Sequence, residues 1–345
     1  MDVRVRVSTK HRLIVMAALM SAVVLLVAVG TLAAQSAGGA KTAAVKSILR
    51  TSDGHPDLQG TWSFATLTPL ERPKELGDKA VLTDEEISKL EKQAVENQFV
   101  DRPPPPGNPG AYNRFWVDFG TRVNANRRTS LVVDPPDGKV PALTAAAQKR
   151  EEDRATVRHL ASGPEDLPSW DRCILGFNAG PPILPSGYNN NLQLFQTRDY
   201  VAILTEMVHD TRVVPLDGRQ HLPAALRQWK GDSRGRWEGD TLVVETSNFT
   251  DKGTGTLQLD PEFARRGLGG IADEHLHLVE RFTRVDADTL LYEFTVDDRT
   301  IWSRPWTAAI PMTKTTEQLY EYACHEGNYG MHGILAGARA GEKAR

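Results

Sequence analysis

From Asn191 onward the chain is written in short β-branched and aromatic stretches separated by Asp- and Gly-rich turns. That rhythm constrains the fold more than any other feature. Residues 192–196, 200–208, 211–216, 241–246, 276–283, 290–296 and 306–312 each have the length and residue types of a strand. Two segments echo one another: Arg236-Trp-Glu-Gly-Asp-Thr-Leu-Val-Val-Glu245 and Arg284-Val-Asp-Ala-Asp-Thr-Leu-Leu-Tyr-Glu293 share Arg, Asp-Thr-Leu and Glu at equal spacing. Each reads as a hairpin whose turn carries acidic and small residues. A run of hairpin-linked strands with few helices predicts a mainly β, antiparallel barrel or sandwich.

Upstream the pattern predicts helical additions. Thr83 with Glu86 three residues on is a capping box ahead of spaced Ile87, Leu90 and Val95, predicting a helix over 83–98. Thr144 caps a second, charged helix over 144–159, and Pro103 to Pro106 impose an extended chain between them. Asp134-Pro135-Pro136-Asp137-Gly138 separates the apolar stretches 130–133 and 139–143 and reads as a hairpin turn. Gly60-Thr61-Trp62 resembles the Gly-x-Trp opening of lipocalins, which places a lipocalin-like barrel ahead of a sandwich. The expected organisation is residues 1–36 as signal peptide, 37–51 as linker, and 52–340 as one β-rich domain.

The N-terminal reading rests on order. Arg4, Arg6, Lys10 and Arg12 precede an apolar run over 13–34, and small residues Ala33, Ala34, Ser36 and Ala37 follow. That is a secretory signal, implying a periplasmic or extracellular bacterial protein; an uncleaved anchor is the alternative, because the run is long enough to span a bilayer. The formal charge is −3, and removing residues 1–36 leaves about −6. A mildly acidic, mixed-charge surface argues against nucleic acid as the main partner. The membrane enters only through an uncleaved N-terminal segment. In an oxidising compartment Cys173 and Cys324, the two cysteines, are either partners in a disulfide or two separate buried thiols.

Strand alternation mixes polar and apolar residues on both faces. His277 and Arg281 share one face of their strand; Leu278, Glu280 and Phe282 share the other. One account is a sheet with a solvated face, and the other is an interior that holds a polar ligand. The densest polar cluster is His209-Asp210-x-Arg212, followed by Asp217-Gly218-Arg219-x-His221. His moves protons near neutral pH, a carboxylate orients it, and Arg grips an anion through two nitrogens. Gly231-Asp232-Ser233-Arg234-Gly235 fits G-x-S-x-G, but its flanks predict a hairpin, not the strand-to-helix turn that a nucleophilic serine needs. His275 and His277 have a spacing that suits zinc, with His209, His221 or Asp297 as a third ligand. Two histidines alone favour solvent-facing residues, so neither metal nor cofactor is expected.

Asp53-Gly54-His55-Pro56-Asp57-Leu58-x-Gly60-x-Trp62, the run Gly231 to Glu245, Val279-Glu280-Arg281-Phe282 and Arg304-Pro305-Trp306-Thr307 after Asp297-Asp298 together resemble a large group of secreted bacterial proteins. The resemblance covers most of 52–335. It implies an exported single domain and no particular reaction. Arg299 stands where the group has Pro, and His275 departs from its pattern. The leading expectation is binding of a small organic, anionic molecule in a barrel-like cavity. Arg212, Arg219, His221 and Arg281 would hold it, and Trp237 or Trp302 would stack on it. The alternatives are an acid–base hydrolase, lyase or isomerase using His209 or His277 with Glu280, and a structural envelope protein. Convergence of these residues in one cavity would favour the first two, and dispersal the third. The oligomeric state is not legible.

Overall fold

The computed structural model describes residues 48–98, 118–167, 169–176, 178–252 and 274–343. The N-terminal apolar segment and Pro103 to Pro106 lie outside them. The described chain is mainly β, with ten antiparallel strands in one sheet. They are β1 (Gly60–Ser63), β2 (Val132–Asp134), β3 (Asn191–Gln196), β4 (Tyr200–Thr205), β5 (Asp210–Pro215), β6 (Asp232–Glu238), β7 (Thr241–Ser247), β8 (His277–Arg284), β9 (Thr289–Asp297) and β10 (Trp306–Thr315). Helices are few: α1 (Asp84–Gln98), α2 (Ala145–Leu160) and α3 (Tyr329–Lys343).

The starts of α1 and α2 each have a local cause. Thr83 N–H donates to Glu86 Oε2 at 2.8 Å while Glu86 N–H donates to Thr83 Oγ1 at 3.3 Å, the reciprocal bonding of a capping box. At α2, Thr144 Oγ1 accepts from Ala147 N–H and donates to Thr300 O at 2.7 Å, so one hydroxyl both caps the helix and ties it to the β9–β10 connection.

Strand order is β5-β4-β3-β1-β10-β9-β8-β7-β6, with β2 pairing β10 beside that path. The predicted hairpin at Asp134–Gly138 therefore does not form. Gly138 N–H bonds Pro135 O, so the turn is present, but Val132 and Asp134 face Ala308 and Thr307 of β10 instead of residues 139–143. The echoing segments do form hairpins. β6 pairs β7 with Trp237 opposite Leu242, and β8 pairs β9 with Phe282 opposite Tyr292. Gly239, at φ 60°, supplies the left-handed turn residue of the first.

The sheet is not closed into a barrel, so the barrel-like expectation holds only as one antiparallel sheet. The path has nine strands, every neighbouring pair antiparallel, so its edges β5 and β6 point the same way. An even number would have brought antiparallel edges together. Side chains fill the seam where a ladder would be. Val214 and Leu216 press onto Gly235, where an added Cβ would lie 2.9 Å from Val214 Cγ1 and 2.5 Å from Leu216 Cδ2.

The inner face is packed with large side chains. Trp62, Phe64, Leu192, Leu194, Ile203, Leu242, Phe282, Phe294, Trp306 and Ile310 are buried in one cluster. Each supplies a few kcal/mol of apolar burial, and interiors of this kind are close-packed. One end of the sheet is closed by the segment before β1. Gln196 brackets it by accepting from Leu58 N–H and donating to Pro56 O, and Trp62 Nε1 donates to Leu58 O at 2.9 Å. Arg284 donates to the carbonyls of Asp57, Asp286 and Ala287 while lying over the Trp62 ring.

Candidate functional site

The strongest polar grouping in the interior joins β5, β8 and β9. Arg212, Glu280 and Tyr292 point inward because they alternate in phase with Val214, Phe282 and Phe294. Arg212 forks onto Glu280, with Nη2 at 2.8 Å from Oε1 and Nη1 on Oε2. Their side chains are 8% and 0% exposed. The Tyr292 hydroxyl donates to Glu280 Oε1 at 2.8 Å and accepts from Ile183 N–H at 3.0 Å. Burial works against the Arg212 charge, but the Glu280 carboxylate outweighs it and holds the guanidinium above its ordinary value. Burial first, and then the Glu280 charge, pushes the Tyr292 phenol well above its usual range. These groups satisfy one another. Bidentate pairing leaves no oxygen pair of Glu280 and no fork of Arg212 for a ligand.

Ser233 sits beside this grouping on β6. Its Oγ lies 2.9 Å from Thr246 Oγ1 and 3.4 Å from Arg212 Nη1. Residues on both sides of it belong to the β6 strand, so the serine is a cross-strand partner and not a residue at an elbow.

A second grouping lies on the seam and is partly open to solvent. The Asp232 side chain, at the start of β6, is buried, and three donors reach it. His221 Nδ1 lies 2.9 Å from Oδ2, Leu222 N–H donates to Oδ2 at 2.9 Å, and Arg234 Nη1 donates to Oδ1 at 2.7 Å. The loop carrying His221 is pinned from behind, where Asn248 Nδ2 donates to Leu222 O at 2.6 Å. The His221 side chain is 32% exposed. The Asp232 carboxylate can only accept, so the hydrogen of this contact is carried by His221 Nδ1. Close by, Lys230 pairs with Asp210 at 2.5 Å across the same seam, and burial lowers the lysine's affinity for its proton.

The remaining expected site residues scatter. His209 is exposed in the turn after β4, with φ 52° beside Val208 at φ 61°. His277 is exposed at the start of β8, on the face opposite to Glu280, so the two do not meet. Arg281 pairs with Glu238 at 2.9 Å on the outer face. Arg219 pairs with Asp217, whose carboxyl it holds down at about 2, and donates to the Tyr200 hydroxyl at 3.1 Å. Trp237 carries the His55 ring stacked 4.4 Å away, and Trp302 is buried edge-on against Trp306. Of the expected catalytic and ligand-binding residues, only Arg212 and Glu280 bond to each other. Among the described residues no group of His, Cys, Asp and Glu is arranged to hold a metal ion. Cys173 and Cys324 are joined as a disulfide.

Asp232 is the residue that sequence reasoning missed. It stands in Gly-Asp-Ser-Arg-Gly, where the eye goes to the serine. The available signal was the acid's place at a strand start, eleven residues after a histidine. Comparison with family models, with curated proteins and with solved structures finds no match.

Proposed function

We propose that this is an exported protein that binds a small polar molecule at the β5–β6 seam, with His221 as its central contact. The observation that carries this reading is the His221–Asp232–Arg234 cluster. It is an oriented, part-exposed imidazole on a buried carboxylate, placed where the ladder is open. The seam is also where side chains of two edges face each other without a main-chain ladder to hold them. The frame around the seam is barrel-like: β1, β3, β4, β5 and then β6 to β10 follow the cyclic order of an up-and-down barrel with one open seam. Export is supported by the N-terminal pattern and agrees with a disulfide.

The ligand is neutral or weakly charged, because the arginines that would hold an anion are already matched by carboxylates: Arg212 by Glu280, Arg219 by Asp217, Arg234 by Asp232 and Arg281 by Glu238. The test is a thermal-shift screen of small polar metabolites on wild type and His221→Ala. Hits that stabilise wild type and not the variant support the reading; hits indifferent to His221 remove it. A second reading, a structural envelope protein without a small ligand, is favoured by the scatter of His209, His277 and Arg281.

A further inference from the structure

Residues 316–343 leave β10 and attach to the body by polar contacts and one covalent bond. Helix α3 in this segment has no buried residue. Arg339 donates to the carbonyls of Ala161 and Ser162 at 3.1 and 3.0 Å, and Asn328 Nδ2 donates to Asp171 O at 2.7 Å. Tyr320 N–H reaches the Glu206 carboxyl, which also accepts from Asn191 Nδ2 at 2.9 Å. Glu206 is buried and begins the turn in which Val208 and His209 both take left-handed backbone angles. Such angles are costly for a β-branched residue and gather at functional and switching segments. The covalent bond is Cys173–Cys324.

The two cysteines are not equivalent. Cys173 is 5% exposed, whereas Cys324 is half-buried. The Asn328 amide N–H points at Cys173 Sγ from 3.4 Å. A donor there stabilises negative charge developing on Cys173 and makes it the better leaving group, while access selects Cys324 for attack.

We propose that residues 316–343 are a strap over the Glu206 turn that a dithiol reductant releases, with Cys324 the sulfur attacked and Cys173 the sulfur that leaves. A thiolate of the dithiol bonds to Cys324 Sγ. The Sγ–Sγ bond breaks, and its electron pair departs on Cys173, which takes a proton from solvent. The dithiol's second thiolate then attacks its own sulfur in the mixed disulfide and frees Cys324. The dithiol ends oxidised, and the protein holds two thiols. With the covalent tie gone, the strap keeps the hydrogen bonds of Asn328 and Arg339, and Glu206 becomes reachable as these open.

The test uses the exported full-length protein, oxidised and then treated with dithiothreitol. Limited proteolysis reads the strap, and carbodiimide coupling of an amine, mapped by mass spectrometry, reads Glu206. The expected result is protection and no coupling when oxidised. After reduction, cleavage falls within 316–343, Glu206 is coupled, and the main melting transition remains. Cys324→Ser should reproduce the released state without reductant. A monothiol such as glutathione, which cannot resolve the mixed disulfide, should be trapped on Cys324 and not on Cys173. The proposal is overturned if the strap stays protected and Glu206 uncoupled once both thiols titrate, or if reduction abolishes the melting transition of the sheet. A monothiol trapped on Cys173 instead overturns the assignment of Cys173 as leaving sulfur.

Discussion

Replacing Glu280 by Gln keeps the shape of the side chain and removes its charge. The Arg212 guanidinium, 8% exposed on its side chain, then has no compensating carboxylate inside the sheet. Breaking one side of a buried pair in this way costs about 3–5 kcal/mol, because the surviving charge stays desolvated. For a domain of this size about 1 kcal/mol moves the melting temperature by about 2–4 °C, so the variant should melt roughly 6–20 °C below wild type. The Tyr292 hydroxyl also loses its charged acceptor, which adds to the loss. Arg212→Met combined with Glu280→Leu should recover most of the deficit, since an apolar pair of similar volume replaces the ions without leaving either one unpaired. Urea melts and thermal melts of Arg212→Met, Glu280→Leu and the double variant form a cycle, and its coupling term should be large and favourable. If Glu280→Gln melts with wild type, or if the double variant is simply the sum of the singles, the two residues do not neutralise each other in the interior. Arg212 would then be available to a ligand after all.

Arg212→Lys keeps the charge and loses the planar fork, so it should cost about 1–3 kcal/mol in a urea melt; a stable Lys variant that no longer binds any screened compound would restore a ligand role. Burial, and after it the neighbouring Glu317 and Asp118 charges, hold Glu206 above the ordinary carboxyl range against the hydrogen bond from Asn191. A raised carboxyl costs stability once it must ionise, so its penalty is absent in acid and grows as the pH rises through the ordinary glutamate value and beyond. Glu206→Gln should therefore gain stability relative to wild type as the pH rises above about 4, the ordinary glutamate value, and a difference that shrinks as pH rises would contradict the assignment. Gly235→Val places a branched side chain against Val214 and Leu216 and should destabilise by about 1–3 kcal/mol through overpacking of the seam. Ser233→Ala removes one hydroxyl pair with Thr246 and should cost about 1 kcal/mol with ligand binding unchanged; loss of binding at normal stability would mean that the serine contacts the ligand.

The strands were legible because alternation is local. In β9 the inward Leu290, Tyr292, Phe294 and Val296 and the outward Leu291, Glu293 and Thr295 can be read from the sequence without knowing any neighbour. The capping residues Thr83 and Thr144 were legible for the same reason. What local pattern could not supply is the partner. Arg212 and Glu280 are 68 residues apart, so a cation on a buried face reads as a ligand contact until the strand order brings the carboxylate to it. The open seam depends on a count. Residues 132–134 pair with β10 beside the main path and not within it, and only then is the path odd and its edges parallel. The His221–Asp232 pair was hidden differently. A loop folds back over the strand start, so a histidine and an acid eleven residues apart meet across chain that looks like an ordinary turn.

The seam is the claim on which the functional account stands, and NMR of isotopically labelled protein tests it directly. Long-range nitrogen–proton spectra should show His221 carrying its proton on Nδ1. Titration with hits from the polar metabolite screen should then move the signals of His221, Arg234 and Lys230 together, leaving Tyr292 and Phe294 in place. A ligand that shifts the inward-facing residues of β9 and leaves His221 untouched would contradict the account, and so would a His221 ring found protonated on Nε2 alone.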